Sequence, residues 1–181
     1  MNFDPATIVG VVASESIGGS TARAVRSVLE AAESRAQTSV VELANTDEVT
    51  ALAAVASADA VVFGSPVYRA GCSSLLKRFL EKTERGLYGE KEAPLQGKAA
   101  AIVLTGASDH HFLAGDELRA VLSGFFAVQV LAPSLYFRSS DWKSGTGKPA
   151  LESTRAVGNA LVDLAETIKS SPHLQGLRPL V

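Results

Sequence analysis

The chain is predicted to adopt a three-layer α/β fold, in which a parallel sheet is covered by helices on both faces. Short apolar runs of strand length alternate along the sequence with segments of helical periodicity. The runs are apolar on both faces instead of alternating with polar residues, which is typical of strands covered on both sides. At 181 residues, with 46% hydrophobic and 20% charged residues, the chain is long enough to bury one core.

Composition and charge exclude several classes of function. The net charge is -2, from 17 Lys and Arg against 19 Asp and Glu, so the sequence has no broad basic field for nucleic acid and no polybasic membrane anchor. The single cysteine, Cys72, excludes an intrachain disulfide and a cysteine-based zinc site. No apolar run reaches membrane-spanning length, and the amino end lacks the basic segment of a signal peptide. We therefore expect a cytoplasmic protein that acts on a small molecule.

The first predicted strand, residues 7–13, is followed by a segment rich in serine, threonine and glycine. A helical pattern starts after this segment, and Ser20 is a candidate N-cap. Free N–H groups at the amino end of a helix, together with hydroxyl side chains, bind phosphate groups. The segment matches neither the Walker pattern nor the Gly-x-Gly-x-x-Gly pattern, and Glu15 adds a negative charge beside the proposed anion. A phosphate site and an ordinary capped turn both remain open.

The third predicted strand ends at Gly64 and leads into an irregular loop that runs to Gly71. Pro66 stiffens this loop because its φ is fixed and it has no N–H group. Tyr68 offers a flat ring and Arg69 a planar fork of hydrogen-bond donors. The combination suits a planar ligand with polar edges, although a plain connection with a surface tyrosine and arginine is equally consistent with it.

The fourth predicted strand, residues 98–105, ends in a loop that again carries glycine and hydroxyl groups. His110 and His111 are adjacent, so they point in different directions and lack the spacing of a paired metal site. A histidine that braces the loop is the better interpretation. Because the carboxyl ends of parallel strands meet at one edge of a sheet, the loops after strands one, three and four are expected to lie together.

The remaining predicted elements carry no evident chemistry of their own. They are a second strand at residues 39–43, a second helix at 49–56, a third helix after residue 71, a fourth helix carrying Leu113 to Phe126, a fifth strand near 128–131 and a long last helix. Two polar segments, residues 84–94 and 139–147, are long enough to reach a neighbouring subunit or cover a site, and solvated loops are the alternative.

Several short motifs together resemble one known family. They are Ser65-Pro66-Val67-Tyr68-Arg69 followed by Leu76-Lys77, Leu95-Gln96-Gly97-Lys98, and Thr105-Gly106-Ala107-Ser108 with His111-Phe112-Leu113-Ala114 and Val121-Leu122-Ser123. The sequence resembles the NAD(P)H-dependent FMN reductases, and most closely the branch that serves alkanesulfonate-type two-component monooxygenases. The resemblance implies a flavodoxin-like three-layer sandwich with a five-stranded parallel sheet in the order 2-1-3-4-5. It also implies a single FMN-binding domain over residues 1–181. For the tail at residues 170–181 flexibility is expected from the sequence, and docking of residues 172–181 on a partner subunit is the alternative.

The resemblance further implies which residues bind the cofactor. Ser14, Ser16, Ser20 and Thr21 would hold the FMN phosphate, Pro66, Val67, Tyr68 and Arg69 would border the isoalloxazine, and Thr105, Gly106, Ala107 and Ser108 would contact its pyrimidine side. The implied reaction transfers a hydride from NADPH or NADH to FMN, so no catalytic acid, base or metal is expected. A homodimer or homotetramer with active sites near its interfaces is also implied.

Two departures from the family pattern bear on function. Glu15 and Ser16 follow Ser14 where family members commonly carry proline and arginine, and the helix near Asp116 lacks an aromatic residue of the sulfonate-linked branch. We therefore expect a regular fourth helix and tight retention of FMN. The leading function is an NAD(P)H-dependent FMN reductase, and supply of reduced flavin to a two-component monooxygenase is one use that the resemblance suggests for it. The alternatives are an FMN-bound quinone or azo-type reductase, and a flavodoxin-like electron carrier, against which the small net charge argues.

Overall fold

The structure, a computed structural model, describes residues 4–142 and 148–179. Within these ranges a seven-stranded sheet has the central order β2-β1-β3-β5-β6, with β4 paired to β3 and β7 paired to β5. The strands are β1 Ala6–Val12, β2 Ala36–Glu42, β3 Ala60–Tyr68, β4 Gly71–Cys72, β5 Ala99–Gly106, β6 Gln129–Val130 and β7 Leu135–Arg138. The helices are α1 Ser20–Ala32, α2 Glu48–Ser57, α3 Ser74–Lys82, α4 Ala114–Phe126, α5 Lys148–Ser170 and α6 Pro172–Gln175.

The predicted count of five strands in the order 2-1-3-4-5 is wrong, although the parallel α/β topology is confirmed. The predicted fifth strand near residues 128–131 corresponds to β6, and an additional strand, β7, follows it; both run parallel to β5. The pairs Ala100–Val130 and Val103–Leu135 are three residues apart on β5 but five residues apart on the segment that contains β6 and β7. This segment therefore leaves the ladder between the two strands. The other additional strand, β4, is antiparallel to β3.

The segment after Gly64 also differs from its prediction as an irregular loop. Strand β3 continues to Tyr68, and Pro66 pairs with Thr105 of β5. Proline is tolerated there because the pairing of β1 with β3 ends at Gly64, which leaves this part of β3 without β1 as a neighbour. Arg69 and Ala70 then form a two-residue turn with φ values of 52° and 64°, a left-handed conformation that non-glycine residues adopt only at a cost.

The two faces of the sheet are covered by different helices. Helices α1 and α5 pack on one face, and α2, α3 and α4 pack on the other. This arrangement confirms the predicted three layers. None of the helices in the described ranges is long and apolar enough to span a membrane.

Glycines allow α1 to approach both the sheet and α5 closely. A Cβ atom on Gly10 or Gly64 would lie 2.6 Å or 2.3 Å from a methyl group of Val25. On the side of α1 that faces α5, a Cβ atom on Gly158 would lie 2.4 Å from the carbonyl oxygen of Val28. Contacts this short are sterically forbidden, so the position of α1 depends on the absence of side chains at these sites.

The last part of the chain is helical as far as Gln175. The side-chain amide of Gln175 donates to the carbonyl oxygens of Ile168 and Lys169, and Gln96 donates to the carbonyl oxygen of Gln175 at 3.3 Å. The single domain and the flexibility of residues 170–181 stay predictions. In the second polar segment, Ser139–Trp142 form a 3-10 turn, and the prediction for residues 143–147 lies outside the described residues.

Candidate functional site

The loops after β1, β3 and β5 meet at the carboxyl edge of the sheet, as the parallel order requires. Hydrogen bonds connect them directly. The Thr21 hydroxyl at the start of α1 lies 2.7 Å from the Thr105 hydroxyl on β5, and the Ser73 hydroxyl after β4 donates to the Ala13 carbonyl oxygen at 2.6 Å. The structure therefore brings the three predicted groups of site residues to one edge.

The loop between β1 and α1 is closed by short-range hydrogen bonds. The Ser16 N–H group donates to the Ser14 hydroxyl at 3.3 Å, and the Gly19 N–H group donates to the Ser16 carbonyl oxygen at 3.2 Å. Gly19, not Ser20, occupies the N-cap position, so the predicted cap is wrong. Ser20 is the first helical residue, and its hydroxyl donates to the Ser139 carbonyl oxygen at 2.8 Å. The hydroxyl faces a neighbouring segment instead of capping its own helix.

The amino end of α1 retains the groups that an anion requires. Within the described ranges, no hydrogen bond occupies the N–H groups of Ser20, Thr21 and Ala22. The first N–H groups of a helix have no partner inside the helix, and the helix dipole adds positive potential at the same end. These donors, with the loop hydroxyls of Ser14 and Ser16, form a set that fits a terminal phosphate.

The side chains of Thr21 and Thr105 lie beneath the surface of the candidate phosphate site. Their side chains are hydrogen-bonded to each other, and the two residues are only 3% and 1% exposed. Either hydroxyl can donate, which leaves lone pairs but commits one proton to the pair. The bond fixes the first turn of α1 relative to β5, and a direct contact of either side chain with FMN stays a prediction.

The β3–β4 hairpin places polar groups beside the loop between β1 and α1. Pro66 and Val67 are buried, whereas Tyr68 is 57% exposed and Arg69 is exposed. Ser65, buried beneath them, donates to the Pro66 carbonyl oxygen and accepts the Ser73 N–H group, both at 2.9 Å. The hairpin is thus held from below, and the tyrosine and arginine stand at its tip.

The loop after β5 is shaped by a residue that sequence reasoning missed. The Tyr136 hydroxyl donates to the Ser108 carbonyl oxygen at 2.5 Å. A Cβ atom on Gly106 would lie 2.0 Å from that hydroxyl, so only glycine allows the ring to approach. Burial, together with the charge of Asp109, raises the pKa of Tyr136, and the phenol stays protonated near neutral pH. Tyr136 lies on β7, a strand that was not predicted from the sequence. Ala107 is exposed beside it.

The other reactive side chains near the edge are not arranged for catalysis. Burial, followed by the nearby charge of Glu117, raises the pKa of Cys72 to about 11 although a hydrogen bond to Ser65 opposes the shift, so the thiol is protonated near neutral pH. His110 contacts the Ser108 hydroxyl at 3.4 Å, in keeping with its predicted bracing role. The described residues contain no group of three or more His, Cys, Asp or Glu that could hold a metal ion.

A groove between α3 and α4 extends away from the hairpin. Its volume is about 650 Å³. Its apolar lining is Leu76, Leu80, Leu118, Val121, Phe125 and Phe126, and its charged lining is Arg69, Lys77, Glu81, Arg85, Glu90 and Glu117. The polar segment at residues 84–94 borders it and is folded on itself, because Glu84 and Glu90 accept hydrogen bonds from N–H groups of the same segment.

Comparisons with known proteins agree with this arrangement. The family model described as NADPH-dependent FMN reductase matches residues 6–141. A search of curated protein sequences finds no significant match. Among solved structures, the apo form of an NADH:FMN oxidoreductase (EMOB) is similar with a TM-score of 0.76 and 24% identity, over 95% of both chains.

Two further structures support the same fold. A flavodoxin, WrbA-like protein from Agrobacterium tumefaciens has a TM-score of 0.68 and 22% identity, over 90% of this chain and 98% of that one. RosB with bound 8-demethyl-8-formylriboflavin-5'-phosphate has a TM-score of 0.73 and 18% identity, over 93% and 82% of the two chains. At these identities the likeness establishes the flavodoxin-like fold, and the family match covers most of the chain. The chain therefore belongs to the NADPH-dependent FMN reductase family, and it is a flavoprotein oxidoreductase that uses FMN.

Proposed function

We propose that the protein is an NAD(P)H-dependent FMN reductase that binds the FMN phosphate at the amino end of α1. The observation that carries this proposal is the set of N–H groups on Ser20, Thr21 and Ala22, which have no partner within the described residues and lie at the edge where the other two loops meet. Bound FMN supplies the acceptor for a hydride from the nicotinamide, and the protein supplies position and electrostatics.

The chain's own residues bind and orient in this proposal. The N–H groups of α1 and the hydroxyls of Ser14 and Ser16 hold the phosphate, while Tyr68 and Arg69 border the isoalloxazine. The Ser108 loop, held by Tyr136, faces its pyrimidine side. No side chain is assigned a proton transfer, which agrees with the high pKa of Cys72, about 11. We also propose a cytoplasmic location, supported by the single cysteine.

The proposal is tested by steady-state oxidation of NADH and NADPH, each with and without added FMN. We expect oxidation of at least one nucleotide that depends on FMN, and the ratio of kcat/KM values gives the donor preference. If the protein binds FMN but oxidises neither nucleotide, the proposed reductase activity is overturned and a flavodoxin-like electron carrier is favoured. Oxidation that requires a quinone or azo acceptor would favour the alternative function, an FMN-bound quinone or azo-type reductase.

We predict that FMN is retained tightly and that turnover is ping-pong, with NAD(P)+ leaving before the second acceptor enters. Helix α4 is α-helical from Ala114 to Phe126, which confirms the predicted regular helix and provides no local bulge that would open the site. Purified protein should therefore be yellow. A colourless protein with micromolar or weaker FMN affinity would contradict retention, and supply of reduced flavin to a two-component monooxygenase would become the better proposal.

We propose a homodimer or homotetramer in which the α3–α4 groove contacts a second copy. The groove has an apolar floor, and Phe125 at its edge is 50% exposed. Its rim carries both signs of charge, with Arg69 and Lys77 against Glu81 and Glu117. A surface that combines apolar groups with both signs of charge allows the self-complementary contacts that a two-fold interface requires.

Replacing Phe125 by aspartate should dissociate the assembly, because it places a charge in the apolar part of the interface. Light scattering at micromolar concentration should give a dimer or tetramer for the wild-type protein and a monomer for Phe125→Asp. The control is Val49→Asp, since Val49 is also apolar and is 77% exposed, but it lies on α2 outside the groove. A monomeric wild-type protein would refute the prediction.

A further inference from the structure

A buried carboxylate from the second strand reaches into the loop between β1 and α1. Glu42 is the last residue of β2, and its side chain is 10% exposed. One carboxylate oxygen accepts the N–H group of Gly18 at 2.9 Å, and the other lies 3.0 Å from the Arg26 guanidinium on α1. The strand that carried no evident chemistry in the sequence therefore supports the loop proposed to bind phosphate.

The bond from Gly18 is the shortest that any N–H group of residues 14–19 donates in the described structure. The other two, from Ser16 and from Gly19, are 3.3 Å and 3.2 Å long and close the loop only on itself. Gly18 has a φ of 63°, so the loop turns at the residue that Glu42 holds. A hydrogen bond to an ionised acceptor is about twice as strong as a neutral one. Glu42 is thus the main link between this loop and the sheet.

The charge of Glu42 alone would oppose binding of a phosphate. Arg26 offsets that charge through its ion pair with Glu42. Glu15, which lies in the loop between β1 and α1 itself, is exposed and has no ion pair or hydrogen bond within the described residues. The two carboxylates therefore differ in role. Removing Glu15 removes only a negative charge near the anion, and removing Glu42 also removes an acceptor for the loop backbone.

We propose that Glu42 is a positioning residue that holds the loop at residues 14–19 in its phosphate-binding shape before the flavin arrives. The inference rests on the proposed function, because it assigns the loop to the phosphate of FMN. A loop ordered in advance spares the ligand the entropy of ordering it. Glu42 should therefore contribute to binding of FMN and not to binding of riboflavin, which has the same ring and ribityl chain but no phosphate.

The test compares Glu42→Ala, Glu42→Gln and Glu15→Ala with the wild-type protein, all freed of flavin. Flavin fluorescence gives the affinities for FMN and riboflavin, and amide hydrogen exchange gives the protection of residues 14–19. We expect Glu42→Ala to bind FMN about tenfold more weakly, to bind riboflavin unchanged, and to exchange faster in this loop. Glu42→Gln keeps an acceptor oxygen, so it should retain the preference for FMN. Glu15→Ala should bind FMN as tightly as the wild type or more tightly.

The outcomes separate this inference from the proposed function. Equal losses for FMN and riboflavin, unchanged FMN affinity in Glu42→Ala, or a Glu42→Gln variant as weak as Glu42→Ala would each overturn the positioning role and leave the reductase intact. Unchanged hydrogen exchange in Glu42→Ala would overturn it without reference to any flavin. A wild-type protein that does not distinguish FMN from riboflavin would refute the proposed phosphate site, and this inference with it.

Discussion

Replacing Ser20 by aspartate is expected to weaken FMN binding by at least about a hundredfold. Ser20 is the first residue of α1, beside the N–H groups proposed to hold the phosphate. Two unit charges about 5 Å apart repel by about 3 kcal/mol at an effective dielectric constant of about 20, and the phosphate carries more than one charge. Aspartate in the first turn of a helix is itself favourable, so the folded protein should not be destabilised.

Two comparisons isolate the effect of charge in this variant. Ser20→Ala also loses the hydrogen bond to the Ser139 carbonyl oxygen but adds no charge, so its FMN affinity should fall only a few-fold. Riboflavin has no phosphate, and its affinity for Ser20→Asp should equal that for Ser20→Ala. Fluorescence titration measures all of these affinities. If Ser20→Asp weakens both flavins equally, or leaves FMN unaffected, the phosphate does not bind at α1.

Replacing Gly158 by alanine is expected to destabilise the protein by about 2 kcal/mol or more, because α1 and α5 would have to separate. The new Cβ atom would lie 2.4 Å from the Val28 carbonyl oxygen and 2.9 Å from the Ala31 Cβ atom. Val28 is fully buried, so the backbone around it has little room to yield. The gain in helix propensity from glycine to alanine, about 1 kcal/mol, offsets only part of this cost.

Gly124 in α4 provides a matched control for the same substitution. A Cβ atom there would meet no atom within 4 Å, so Gly124→Ala should gain helix propensity and be more stable by up to about 1 kcal/mol. Urea unfolding measures both changes. We expect opposite signs for the two variants, and a Gly158→Ala protein as stable as Gly124→Ala would show that α1 and α5 can separate without cost.

The elements of the fold could be predicted because their signals are local. Strand-length apolar runs, helical periodicity and the motif beginning at Ser65 are all properties of neighbouring residues. Errors arose where the local signal was ambiguous. Pro66 favours a loop in isolation, yet it lies in β3 because the pairing with β1 has ended there and β5 continues. Likewise, Ser20 fits an N-cap by residue type, but Gly19 takes that position.

The sequence by itself determined the alternation of strands and helices, the three loops that meet at one edge, and the family. Only the tertiary structure decided which groups in those loops are free and which are occupied. The carboxylate that holds Gly18 comes from 24 residues away, and the hydroxyl that meets Thr21 comes from 84 residues away. Such partners depend on strand order and register, and a shift of one residue turns a side chain to the opposite face of the sheet. No pattern of neighbouring residues specifies that register, so the partners of Gly18 and Thr21 could be identified only from the folded chain.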